Sequence, residues 1–301
     1  MPHSAHKLHD ALYHYYCEFD APALLEKFAR DNLSGTPGML TNFIGVRVPI
    51  QVFPHVLEAR DGDVEGIPDP GNWHADIAEW AAVLHSVDQS RKTFRIVELG
   101  CGWGCWLNIA GVAALQRDLT VDLIGIEGDK NHLINARATL DANDFTEVNS
   151  RLIHGVAGPT KGEAIFPDPA AGEAGWGGKA IFDADAKTLA KAKADSSVQV
   201  LDCYPLSELA RDGAIDLLHI DIQGAETDFV AGNITDMCNH VRRVLIGTHS
   251  RSIEGSLQSL FLGAGWHMEM ERPVIAPLKK GVPVTQIDGV QMWANPDLVD
   301  E

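Results

Sequence analysis

Five short apolar runs limit the folds open to this chain: RIVELG (95–100), VDLIGIE (121–127), SRLIHGVA (150–157), IDLLHID (215–221) and RRVLIGTH (242–249). None alternates apolar with polar residues. Runs of this kind form parallel strands, because the crossover helices cover both faces of the sheet and leave no wet side. Helical patterns fall between most of them, at 104–116, 130–142, 205–211, 224–232 and 253–264. This rhythm predicts a doubly wound α/β sheet. Two further strand candidates, WHMEMER and GVQMWAN, follow Gly265 with no helix between them. They are expected to pair antiparallel and to complete a seven-stranded sheet.

Before residue 93 the pattern changes. Asp20 and Pro22 read as the cap and first turn of a helix carrying Leu24, Leu25 and Phe28. Residues 6–17 read as another. The stretch from Pro37 to Pro70 is rich in Gly, Pro and Asp. Asn72 then reads as the cap of a helix whose Trp73, Ile77, Trp80 and Leu84 share one stripe. The expected organisation is a helical N-terminal extension or lid over 1–93 and a sheet domain over 94–301. Ala184–Ala194 reads as an exposed helix.

The formal net charge is −18, and no basic run is longer than two residues. Such a surface repels phosphate backbones and anionic lipid, so neither nucleic acid nor membrane is an expected partner. No segment reaches the ~18 apolar residues of a membrane span. The start MPHSAHKLHDAL does not read as a secretory signal. The five cysteines are scattered, with no C-x-x-C pair, which speaks against a disulfide framework or a zinc knuckle and for a cytoplasmic setting.

The strongest local motif is Glu98-Leu99-Gly100-Cys101-Gly102-Trp103-Gly104, where the first strand runs into a helix. Glycines at that turn let backbone approach a ligand closely. A dinucleotide fingerprint would need glycine at 105, where this chain has Cys105. The spacing instead resembles motif I of class I S-adenosylmethionine methyltransferases. Glu127 follows the next apolar run, with Gly128 after it. A carboxylate there can accept from both ribose hydroxyls of a nucleoside. Val156 and Ala157 would lie near the base.

The second motif is Asp216-Leu217-Leu218-His219-Ile220-Asp221-Ile222-Gln223-Gly224-Ala225-Glu226. It resembles the D-L-L-K-I-D-V-E-G-A-E signature of FkbM-type methyltransferases. Ile246-Gly247-Thr248-His249-Ser250, Gly265-Trp266 and Leu201-Asp202 extend the resemblance over about Arg95 to Pro296. His219 replaces the usual Lys and Gln223 the first Glu. The resemblance implies a class I (Rossmann-like) methyltransferase fold and S-adenosylmethionine as donor. It also implies methylation of a hydroxyl on a small glycoside or secondary metabolite.

Cofactor contacts are accordingly expected from Glu98, Gly100, Cys101, Gly102, Trp103, Gly104, Glu127, Gly128, Val156, Ala157 and Asp221. A hydroxyl needs help to lose its proton near neutral pH. His249, at the end of the fifth strand, is the expected general base and a substrate contact, with Asp221 orienting it. Asp221, Glu226 and His249 could instead hold a divalent metal. Trp176, on a glycine-rich loop, is an expected acceptor contact. His219 reads as a hydrogen-bonded core residue, and His74 as one that could face the cofactor. N-methylation of a small amine and a non-catalytic binding module stay open as alternatives, as does a homodimer.

Overall fold

The computed structural model describes residues 11–168, 177–210 and 213–299. The strands are β1 (Tyr16–Cys17), β2 (Met39–Thr41), β3 (Arg47–Pro49), β4 (Thr93–Leu99), β5 (Thr120–Glu127), β6 (Ser150–His154), β7 (Val156–Ala157), β8 (Gly162–Pro167), β9 (Val198–Tyr204), β10 (Ile215–Ile220), β11 (Val241–Thr248), β12 (His267–Arg272), β13 (Leu278–Lys279), β14 (Val282–Pro283) and β15 (Gly289–Ala294). The helices are α1 (Ala21–Phe28), α2 (Pro54–Leu57), α3 (Ile77–Asp88), α4 (Cys105–Leu115), α5 (Lys130–Ala142), α6 (Ala186–Ala192), α7 (Leu206–Ala210), α8 (Glu226–His240), α9 (Arg251–Gly263) and α10 (Pro296–Val299).

The main sheet has the order β1-β12-β15-β11-β10-β4-β5-β6. Strands β4, β5, β6, β10 and β11 pair in parallel, and β15 runs antiparallel to both β11 and β12. This is a Rossmann-like α/β sheet with the expected seven strands. Tyr16–Cys17 adds an eighth, antiparallel to β12. That corrects the expected helix over 6–17, of which residues 6–10 lie outside the described residues. The outer edge of β12 presents unpaired backbone groups, and a short extended segment satisfies them. The N-terminal part holds the β2–β3 pair as well as helices.

The run 150–157 divides. Its first part pairs with β5, while Val156–Ala157 leave the sheet and join a small sheet of order β7-β9-β8. The helix expected from Asn72 starts later. Asp76 caps α3 in a full capping box with Glu79, whereas Asn72 Oδ1 closes a turn by accepting from the His74 and Ala75 amides.

Helices cover both faces. One core runs without a break from Leu25, Leu40 and Trp80 to Leu107, Leu217 and Met292. The other packs Phe229, Phe261, Trp266 and Trp293 against the outward side chains of β10 and β11. From β4 the chain winds outward to β6, then returns to β10 and winds the other way. The carboxyl ends of β4 and β10 therefore part at a topological switch point, where open sheets of this kind place their ligands. No helix among the described residues is long and apolar enough to cross a membrane.

Candidate active site

At the switch point Gly100 has φ 73°, and a Cβ on it would stand 2.0 Å from the Asp221 carbonyl oxygen. Only glycine lets the β4 and β10 ends close here, and the Asp221 amide donates to the Leu99 carbonyl at 3.0 Å. Gly104, φ 74°, is the N-cap of α4 and offers no side chain to its first turn. Glu98 supplies what is missing. Its carboxyl oxygens accept from the Trp106 and Leu107 amides at 3.3 and 3.0 Å. Burial pushes this carboxyl up to about 8.

Glu127 ends β5 and ties the loop to it. Its Oε2 accepts from the Gly102 amide at 2.9 Å and its Oε1 from the Asp129 amide at 2.8 Å. Beside it lies a cleft of about 590 Å³, within the usual range for small ligands. Glu98, Gly100, Cys101, Gly102, Trp103, Glu127, Gly128, Val156, Ala157 and Asp221 all line it. Gly104 does not: its φ and its approach to Asn108 and Ala136 serve the turn into α4. Val156, Ala157, Phe166 and Phe182 supply part of the cleft's apolar wall, and Phe53 with the stacked rings of Trp73 and Trp103, 5.7 Å apart, supply another. Trp176 lies outside the described residues; Gly177 and Gly178, next to it, face the cleft.

A second cleft, of about 520 Å³, also has Asp221 in its wall. His74, Asp76, Glu79, His249, Arg272 and Asp288 bring their charges and rings to it. His74, Glu79 and Asp221 line both clefts.

His249 stands where the sequence put it, past the end of β11 and beside Asp221. Its Nε2 lies 3.3 Å from Asp221 Oδ1 and its Nδ1 3.0 Å from Glu226 Oε1. Burial favours a neutral ring, yet the contacts with Asp221 and then Glu226 outweigh it and push His249 up to about 10. That raised value favours the protonated ring; Nε2 faces Asp221, while Nδ1 lies close to Glu226 without making a hydrogen bond among the described residues. Glu226 is fully buried and folds back to accept from the Ile222 and Gly224 amides at 3.2 and 3.0 Å. Gln223, φ 57°, donates its Nε2 to Asp221 Oδ1 at 3.0 Å.

The same three groups have ligand atoms within 4.8 Å of one another. The ring turns Nε2 toward Asp221 and Nδ1 toward Glu226, so the three groups form an ion-pair cluster whose oxygen and nitrogen atoms are also of the kind that hold a divalent cation.

His219 is buried as expected, and its Nδ1, 3.9 Å from Glu98 Oε1, makes no hydrogen bond among the described residues. Burial pushes it down to about 4. His74 Nδ1 lies 3.5 Å from Cys105 Sγ, and burial pushes this ring down to about 3. Glu79, Arg272, Asp288 and Phe166 were not foreseen. For Glu79 the signal was present, as the D-x-x-E spacing from Asp76.

No family model matches the chain. Among solved structures, methyltransferase FkbM from Methylobacillus flagellatus KT is 12% identical, covering 84% of this chain and 73% of that one at a TM-score of 0.43. Precorrin-6y C5,15-methyltransferase from Geobacter metallireducens GS-15 is 10% identical, covering 71% and 86% at 0.39. At that distance neither bears on activity. A curated protein of Jannaschia sp. (strain CCS1), named “Putative methyltransferase”, is 46% identical over 274 residues, 91% of this chain and 98% of its own length. The chain belongs to the methyltransferase family of that protein.

Proposed function

We propose that this chain is an S-adenosylmethionine-dependent O-methyltransferase of FkbM type, acting on a small hydroxylated acceptor. The observation that carries the reading is the meeting of two clefts at Asp221, His74 and Glu79. The first suits a nucleoside. Glu127 offers its carboxylate to ribose hydroxyls, the Val156–Ala157 wall offers an apolar slot for the base, and Gly100 leaves room for a close approach. The bound donor would supply an electrophilic methyl group on a cationic sulfonium. Asp221 is held as the anion: burial works against it, but the contact with His249 keeps its carboxyl below the usual range. It therefore offers negative charge where the clefts meet, and much of the rate in such a displacement comes from positioning.

The second cleft suits the acceptor, and its surplus of acids favours a neutral or cationic one over a phosphorylated one. Residues 1–93 then act as a lid, since Phe53, Trp73, His74 and Glu79 all come from that part. Trp176 remains a proposed acceptor contact. Calorimetry with S-adenosylmethionine and S-adenosylhomocysteine tests the first cleft. A panel of small alcohols, phenols, glycosides and amines, read by homocysteine-nucleoside release, tests the second. Turnover on hydroxyls is expected. Turnover on amines alone would convert the assignment to N-methylation, and binding of neither nucleoside would remove it.

A further inference from the structure

We propose that Glu79 is the proton acceptor of the transfer. The inference rests on the reading above, that the donor fills the first cleft and the acceptor the second. Three residues line both clefts, and two of them are poor bases. His74 faces Cys105 and is buried. Asp221 is committed to His249 and Gln223. His249 lines the second cleft and not the first, and its raised pKa favours a ring that already carries a proton.

Glu79 differs in geometry and in setting. It is the third residue of α3, and its Oε2 accepts from the Asp76 amide at 3.2 Å in the capping box. That contact fixes the carboxyl group and leaves Oε1 without a hydrogen bond among the described residues. The charged and titratable groups around it are Asp76 on its own helix start, Arg272 on β12, Asp221 after β10, and His74 and Cys105 beside the first cleft. Burial, then Asp76, raises Glu79, while Arg272 pulls the other way, and the carboxyl is pushed up to about 8. A carboxylate poised there is a stronger base than an ordinary one, and about half of it is ionised at pH 8.

In the step, the acceptor O–H proton passes to Glu79 Oε1. The acceptor oxygen forms its bond to the methyl carbon as the carbon–sulfur bond breaks, and that electron pair stays on sulfur. Glu79, now a neutral acid, returns the proton to water through the second cleft. Charge balances: one carboxylate and one sulfonium are lost together.

The sulfonium makes the proposal testable without an acceptor. A cation beside Glu79 favours its anion, whereas S-adenosylhomocysteine has the same nucleoside and amino acid but no charge on sulfur. The preference of the full chain for S-adenosylmethionine over S-adenosylhomocysteine, measured by calorimetry, should rise about tenfold from pH 6 to pH 9, equal to one unit of pKa. Glu79→Gln keeps the capping box, since glutamine serves at that position too, and should abolish the rise. A rise that survives Glu79→Gln overturns the proposal. Failure to bind either nucleoside instead overturns the cofactor reading beneath it. On whichever hydroxylated acceptor turns over, Glu79→Gln should lower kcat by about 10²–10⁴ with KM little changed. It should also remove the limb of the pH profile near 8, and an unchanged kcat overturns the assignment.

Discussion

An imidazolium held by Asp221 and Glu226 ties stability to pH. His249 is raised from 6.5 to about 10 in the folded chain. Its contribution is therefore complete below about pH 6.5 and is lost as pH rises through 10. Removing the ring should flatten the fall in unfolding temperature between pH 7 and 10, as scanning calorimetry would read it. The same variant leaves fully buried Glu226 without its cation, at a cost of about 3 kcal/mol at neutral pH. Glu98 is raised too, from 4.5 to about 8. A raised acid also stabilises fully below its unfolded pKa, and loses that stability as pH rises through the folded one. Glu98→Gln keeps the shape and an acceptor for the Leu107 amide. It should raise the unfolding temperature at pH 9 by roughly 2–6 °C and change little at pH 4. An equal shift at both pH values would mean that ionisation of Glu98 is not what costs stability. The position of His249 was legible in the sequence, as a strand end beside Asp221. Its approach to Glu226 was not, because that depends on Glu226 folding back across the Gly224 turn, a tertiary event.

The start of α3 brings together more of the site than its length suggests. Asp76 caps the helix by accepting from the Ala78 and Glu79 amides and also pairs with Arg272, which is 3% exposed. The pair joins the N-terminal segment to β12 and holds Glu79 at the mouth of both clefts. Asp76→Ala should cost about 3–5 kcal/mol, because it strands a buried guanidinium. Adding Arg272→Met removes that stranded charge, and the double variant should regain more than half of the loss in denaturant unfolding. Additive costs would show that the two side chains do not depend on each other. The apolar stripe correctly placed Ile77, Trp80 and Leu84 on this helix, yet moved its start to Asn72. Trp73 fits the period by coincidence: it packs on Trp103 and Phe53 outside the helix. Likewise SRLIHGVA reads as one strand, and nothing in its apolar content says that Val156 and Ala157 pair elsewhere with Cys203 and Tyr204.

At the scale of the whole molecule, the parallel sheet was legible because strands buried on both faces have a distinctive composition. What remained hidden was how residues before 93 attach to it, since their partners lie far along the chain. Tyr16 and Cys17 pair with Glu271 and Met270, and α3 lies against the sheet with Trp80, Ala81 and Leu84 fully buried. A division at 93 separates two sequence patterns; the apolar core crosses it, from Leu25 and Leu40 to Leu217 and Met292. One shared core predicts one cooperative transition. Calorimetric and van't Hoff enthalpies of unfolding should agree for the full chain, and fluorescence from the tryptophans at 73, 80, 103, 106, 266 and 293 should follow one curve. A chain beginning at 94 would expose the face that α1 and α3 cover and lose Glu79 and His74. It should bind a hydrophobic dye strongly, lack a cooperative transition and fail to hold the nucleoside. If that shortened chain unfolds cooperatively and still binds S-adenosylhomocysteine, the first 93 residues are a separable lid, and only acceptor turnover should disappear with them.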